Sequence, residues 1–444
     1  MWTVAQLAAD LAAGRTSSRA LVEQALARIA EPLGEGSRAF LKVYADSARA
    51  EADAADRLRK AGVRRSAVDG LPVSLKDLYD VAGDVTRAGS KVLSITAKED
   101  AAAVARLRAA GAIFIGRTNM VEFAFGGVGL NPHYGTPKNP FDRKTARVPG
   151  GSSSGAAVAQ ADGMCVMALG SDTRGSVRGP AALCGVVGWK PTAARVPRDG
   201  AFPLSYTLDS VGPLANSVAC AAAYDAVLSG QSEDPMQLEA KGLRLLVPRC
   251  SALEDLDKEV AAAFQSALER LSRAGALVTE RPVAAFDRQG EYFKHGGYAG
   301  AEAYHIHRAN EARIGEFDPR IGKRILLGKS LSASDYLLLG ELRAAYIREV
   351  QALAEPYDAI VMPSVPCIAP SIAEADASDE AYFRWNGRIL RNNGLINFLD
   401  GCAASLPCHE PGSAPVGFMV CGTAGSDRRT LAAAAAIERA LARD

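Results

Sequence analysis

Two glycine-rich turns carry serines in settings suited to acyl transfer: Gly150-Gly151-Ser152-Ser153-Ser154-Gly155 and Gly170-Ser171-Asp172-Thr173-Arg174-Gly175-Ser176. The first runs into Ala156-Ala157-Val158-Ala159, which reads as a helix start, and the second follows the strand-like run Cys165-Val166-Met167-Ala168-Leu169. A serine beside glycine at a strand end or helix start exposes its hydroxyl, and neighbouring N–H groups converge as donors for the oxyanion of acyl transfer. Such a serine also needs a base. The chain has five histidines, and none lies in either turn. Lys76, which closes the apolar run Leu71-Pro72-Val73-Ser74-Leu75 and precedes Asp77, is the alternative. Burial disfavours the ammonium form, and a neutral lysine accepts a proton from a serine. On residue types alone two readings stand: a lysine-based serine hydrolase, or a strand-end surface lysine beside two structural turns.

The elements that must position these groups show as periodicities. Val4, Leu7, Ala8 and Leu11 share a helix face, and Thr16-Ser17-Ser18 offers N-caps for a second helix through Leu21, Val22, Ala25 and Ile29. Residues 45–61 read as a third helix closed by Gly62. Leu71–Leu75 and Ala112–Ile115 are strand candidates, with a helix from Asp100 to Ala110 ended by Gly111. Residues 119–192 are dense in Gly, Ser, Asn and Pro with few charges and no repeat. That texture fits ordered backbone held close to a ligand better than a linker. Beyond 215 helical patterns alternate with short apolar strands, clearest at Val361-Met362 and Val416–Val420, and Asp427 to Arg443 reads as a last helix. The alternation predicts an α/β architecture, a sheet covered by helices. One domain is expected over 1–444, made of a helical segment 1–62, a core 70–215 and a remainder 216–444.

A formal net charge of +1, with Lys and Arg spread along the chain, gives no footprint for nucleic acid or an acidic membrane surface, so a small, roughly neutral substrate is expected. No apolar run approaches the roughly 18 residues of a membrane span. The start lacks a basic segment followed by an apolar one, and the eight cysteines show no CxxC pair. Both features predict a cytoplasmic protein with buried thiols. His305 and His307, two apart without a nearby cysteine or carboxylate pattern, read as structural or pocket-lining, not as metal ligands.

The run Pro149–Ala157 resembles the first half of the amidase signature, and Gly170–Arg178 with Pro180–Gly185 resembles its second half. Gly188-Trp189-Lys190-Pro191-Thr192, Leu71–Asp77, Asn119–Ala124 and Asn139-Pro140 are similar to further segments of the same family, in the same order, and the likeness is densest over 70–215. The resemblance implies the amidase signature fold: a large mixed twisted sheet covered on both faces by helices. It implies cleavage of a carboxylic amide C–N bond, or of an ester or carbamate, in a small molecule through an acyl-enzyme, with no metal or organic cofactor. It makes Ser176 the nucleophile, Lys76 the base, and Ser152, in a cis peptide, the bridge between them. The 24-residue separation of Ser152 and Ser176 matches the family's. Backbone N–H groups of Thr173, Arg174, Gly175 and Ser176 would form the oxyanion hole.

Arg174 stands where most family members have glycine, and Gly179 where a bulkier residue is usual. If that glycine serves a positive φ, Arg174 would strain the turn. Arg174 and Arg178 either bind a polar or carboxylate end of the substrate or tie down neighbouring loops. Tyr134 and Ser153 are further substrate-binding candidates, and Phe202, Tyr206, Tyr292, His305 and Phe398 fall in variable segments where specificity would lie. Two alternatives accompany this reading. One is a glutaminase-type amidase subunit that passes ammonia to an amidotransferase partner. The other is an α/β-hydrolase esterase in which Gly151–Gly155 forms a nucleophile elbow around Ser153, with His409 as base. Neither nucleic acid nor a membrane is an expected partner, and a homodimer is admissible.

Overall fold

Strands buried on both faces read as near-continuous apolar runs, and the chain builds its sheet from such runs. The computed structural model describes residues 2–231 and 236–442. Its sheet strands are β1 (Phe40–Val43), β2 (Pro72–Lys76), β3 (Ile113–Thr118), β4 (Met167–Asp172), β5 (Val187–Lys190), β6 (Ser210–Ala215), β7 (Arg244–Arg249), β8 (Leu277–Pro282), β9 (Ala359–Pro363), β10 (Cys402–Pro407) and β11 (Gly417–Gly422). They form one mixed 11-stranded sheet in the order β1-β3-β2-β4-β6-β5-β10-β11-β9-β7-β8. β2 runs parallel to both β3 and β4, whereas β4 pairs antiparallel with β6.

Alternation along the strands feeds separate cores. Val73, Leu75, Phe114 and Leu169 belong to one buried cluster, and Ile113, Ile115 and Ala168 to another across the sheet. Helices cover these cores, among them α1 (Val4–Ala12), α2 (Ser18–Ile29), α3 (Ala45–Lys60), α4 (Ser154–Ala161), α5 (Arg178–Cys184), α6 (Val218–Ser229), α7 (Pro319–Leu327), α8 (Asp379–Phe398) and α9 (Asp427–Leu441). Thr3 and Ser17 accept from Gln6 N and Ala20 N, so hydroxyls cap α1 and α2 at their first free amides. Arg443, the expected end of the last helix, lies outside the described residues.

One boundary differs from expectation in a way that matters. Ser171 and Asp172 fall inside β4 and not in the turn after it, because β4 pairs with β6 without interruption from Met167–Ala215 to Asp172–Ser210. Since β2 and β4 are parallel, Lys76 at the end of one and Ser171 at the end of the other reach the same sheet edge. Carboxyl ends of parallel strands are where α/β sheets place their ligand crevices.

Candidate active site

Lys76 has no solvent exposure, and burial pushes its pKa down to about 7 against the opposing charges of Asp172 and Asp209. Its Nζ lies 2.7 Å from Ser152 Oγ, 2.9 Å from Ser171 Oγ and 3.4 Å from the Ser171 carbonyl oxygen. The Gly151–Ser152 peptide is cis. Its flanks are pinned by the 121–127 segment: Gly151 N–H donates to Gly127 O at 2.7 Å, and Val121 N–H donates to Ser152 O at 3.0 Å. α4 then starts without a side-chain cap, and its Gly155 packs directly on backbone. A Cβ there would lie 2.3 Å from Ala39 O.

The second turn is organised by Asp172. Its carboxylate accepts from Gly175 N at 2.7 Å, Val177 N at 3.1 Å, Arg178 Nε at 3.0 Å, Arg178 Nη2 at 2.9 Å and Asn397 Nδ2 at 2.9 Å. Burial alone would raise its pKa, but the charge and hydrogen bonds of Arg178 hold it well below the usual carboxylate range. Gly175 takes φ +119°, and a Cβ there would sit 2.4 Å from Asn393 Cβ, so only glycine fits the turn. The two turns join where Ser153 N–H donates to Ser176 O at 3.3 Å. Ser176 is 3% exposed and lines a narrow pocket with Ala124, Phe125, Thr173, Arg174 and Arg324. A larger cavity alongside, which includes Ser171, Phe202 and Tyr206, shares Ala124 and Leu204 with it.

Lys76 and Ser152 meet side chain to side chain, and Ser176 is tied to the same turn through its carbonyl oxygen, which accepts from Ser153 N–H, whereas several other sequence-expected roles change. Gly175 is a poor oxyanion donor because Asp172 already holds its N–H, which leaves Thr173, Arg174 and Ser176 as the candidate amides. Arg178 is not offered to a substrate: it is fully buried, with its donors spent on Asp172, Asn397 Oδ1 at 2.6 Å and Asn393 O at 3.2 Å. Ser153 is likewise buried, its Oγ 3.5 Å from Ser171 O, and no strand leads into it. A nucleophile elbow needs that strand. His409 packs on Gly185, where a Cβ would lie 3.3 Å from its Cε1. Tyr134 donates to Ser90 O at 3.1 Å and does not line the Ser176 pocket. Tyr292 and Phe398 stack in the core at 4.6 Å, and His307 packs among Phe123, Phe202 and Phe317.

Arg174 keeps out of the left-handed region, so the turn carries no such strain there. Phe123 and Ala124 do adopt positive φ, at 51° and 59°, at the pocket wall. Sequence reasoning missed Ser171, Phe293 and Arg324. Ser171 stood within the singled-out turn, next to a glycine. Phe293 and Arg324 carry no local signal, since an arginine on an amphipathic helix reads as surface charge.

The family model described as Amidase matches residues 20–431. The chain is 36% identical over 401 residues to 2-amino-5-chloromuconic acid deaminase of Comamonas testosteroni, covering 88% of this chain and 86% of that one. It is 32% identical over 478 residues to one of the subunits of glutamyl-tRNA(Gln) amidotransferase from Synechococcus sp. (strain CC9605), covering 99% and 96%. A crystal structure of an amidase superposes with a TM-score of 0.90 at 33% identity, covering 99% of each chain. Fold and relatives together define a hydrolase of amide C–N bonds. The chain belongs to the amidase family, the family of the amidase signature.

Proposed function

We propose that this chain hydrolyses the C–N bond of a small-molecule carboxamide through an acyl-enzyme on Ser176, with Lys76 as base and Ser152 as proton bridge. The observation that carries the reading is the placement of Lys76 Nζ, fully buried and 2.7 Å from Ser152 Oγ beside the cis Gly151–Ser152 peptide. Nζ has three oxygen neighbours, Ser152 Oγ, Ser171 Oγ and Ser171 O; as a neutral amine it would donate to the two Ser171 oxygens and turn its lone pair to the Ser152 hydroxyl. A pKa of about 7 makes that amine well populated at neutral pH.

In this mechanism Ser176 Oγ attacks the carbonyl carbon while its proton passes to Ser152, and the Ser152 proton passes to Lys76. Amides of Thr173, Arg174 and Ser176 receive the oxyanion. The relay then reverses, protonating the leaving nitrogen as the C–N bond breaks. Water repeats the sequence on the acyl-enzyme, releasing the acid and restoring Ser176. Ester and carbamate carbonyls fit the same chemistry, and the relatives named for deamination and amidotransfer also point to a small amide.

The test is a fluorophosphonate probe on the pure protein, with the adduct mapped by mass spectrometry. An adduct on Ser176 that is lost in Lys76→Ala supports the relay; an adduct on Ser153 would overturn it. The likeness to an amidotransferase component over 96% of that component's length favours a second reading, an amidase subunit serving a partner. Pull-down of an endogenous partner, and glutaminase activity only in its presence, would favour that reading over a free-standing amidase.

A further inference from the structure

Arg174 occupies a glycine position of the family signature; it is part-buried and has no carboxylate partner among the described residues. Its guanidinium stacks on Phe293 with Cζ 3.6 Å from the ring centroid. Gly394 of α8 makes the room: a Cβ there would lie 3.2 Å from both Arg174 Nε and Phe293 Cζ. Nε is buried without a hydrogen-bond partner. No ion pair involves Arg174 among the described residues. A second guanidinium, that of Arg324 on α7, lines the same pocket. It donates to Phe125 O at 2.7 Å and to Asn386 Oδ1 at 3.3 Å, and it too pairs with no carboxylate among the described residues. No acidic residue lines the pocket that holds both cations and Ser176.

Buried arginines are ordinarily paired, because a desolvated cation is stable only when an anion or several acceptors replace its water. Here burial and, less strongly, the neighbouring charge of Arg324 press the Arg174 pKa down to about 9. Stacking on Phe293 fixes the plane of the Arg174 guanidinium but offers no acceptor to its N–H groups. An anion brought in from solution would supply acceptors to a planar fork already held in place, which is the geometry that favours a carboxylate.

We propose that Arg174, with Arg324 behind it, forms an anion subsite beside Ser176 that selects amides carrying a carboxylate, such as a monoamide of a short dicarboxylic acid. This rests on Ser176 being the nucleophile of the proposed amidase. Only Arg174 would contact the carboxylate in a way the family's glycine does not permit, so the preference belongs to this chain's own departure from the signature.

The test uses binding, not turnover, so that the two proposals fail separately. The full chain carrying Ser176→Ala is titrated calorimetrically with succinamate and with butyramide, which differ chiefly by one carboxylate. Succinamate is expected to bind about tenfold or more tighter. Adding Arg174→Gln should bring the ratio of the two affinities to about one, and Arg174→Lys, which keeps the charge but not the fork, should retain part of the preference. Equal affinities in the parent, no succinamate binding at millimolar concentration, or a preference untouched by Arg174→Gln each overturn the subsite; the last makes Arg174 a loop anchor only. The parent comparison decides the matter even if the glutamine variant folds poorly. Fluorophosphonate labelling of the wild type reads the nucleophile independently. Labelling without the preference removes the subsite alone, and the preference without labelling removes the hydrolase mechanism alone.

Discussion

Lys76 sits where burial favours the amine over the ammonium ion, and this has consequences for stability as well as chemistry. Its pKa falls from 10.5 to about 7 on folding, so between those values the unfolded chain binds the extra proton. Stability therefore rises with pH across that window through this group, and the penalty is fullest at and below pH 7. A Lys76→Met variant is expected to lose turnover and to gain thermal stability relative to the wild type at pH 7. The gain should shrink toward pH 10; melting curves at pH 7, 8.5 and 10 check it, and a pH-independent difference would contradict a neutral Lys76. If Ser152 carries the proton, Ser152→Ala should lower the fluorophosphonate labelling rate by about a hundredfold or more, while the loss of one buried hydroxyl oxygen should keep the melting temperature within a few degrees.

At the scale of elements, the turn that carries Ser176 is held from behind by Asp172 and Arg178, both without exposed side-chain surface and 2.9 Å apart. Removing one member of such a pair strands the other charge. Arg178→Met should cost about 3–5 kcal/mol, seen as a lower urea midpoint, and should slow labelling because Gly175 and Val177 lose a fixed carboxylate. Gly175→Ala meets both a φ of +119° and Asn393, so it should impair labelling more than Gly179→Ala, whose Cβ would meet nothing closer than Ile389 at 3.7 Å. Much of this scale was legible in the sequence. The apolar run ending at Lys76 is β2, and the glycine–serine turns flank α4 and follow β4. What misled was treating Ser171 and Asp172 as turn residues. Small and polar residues weaken a strand signal, and only pairing with β6 shows that β4 runs through them. Arg178 was ambiguous for a related reason, since its binding partner Asn397 lies 219 residues away.

Across the whole molecule, the machinery and the wall facing it come from different parts of the chain. Lys76 ends β2, the second turn follows β4 and the first leads into α4, whereas Phe293, Arg324 and Gly394 come from later segments. Residues 284–330 are mostly short helical turns and helices, and β8 at the sheet edge is largely exposed. Few long-range backbone bonds hold such a wall, so its amides should exchange with deuterium before those of β2, β4 and β6. A fluorophosphonate adduct on Ser176 should then slow exchange around 293–324, as measured by mass spectrometry; uniform exchange across wall and sheet would contradict this division. The same division explains what the sequence concealed. Signature residues advertise themselves by composition and spacing, while the wall is made of ordinary helix residues whose meaning lies in what they face.

The most direct test of the central claim is the rate of fluorophosphonate labelling at Ser176 as a function of pH, in the wild type and in Lys76→Ala. The wild-type rate should climb through an apparent pKa near 7 and level off above it, as Lys76 loses its proton. The variant should be slow and lack that transition. An unchanged transition in Lys76→Ala would contradict the account, because some group other than Lys76 would then be activating the serine.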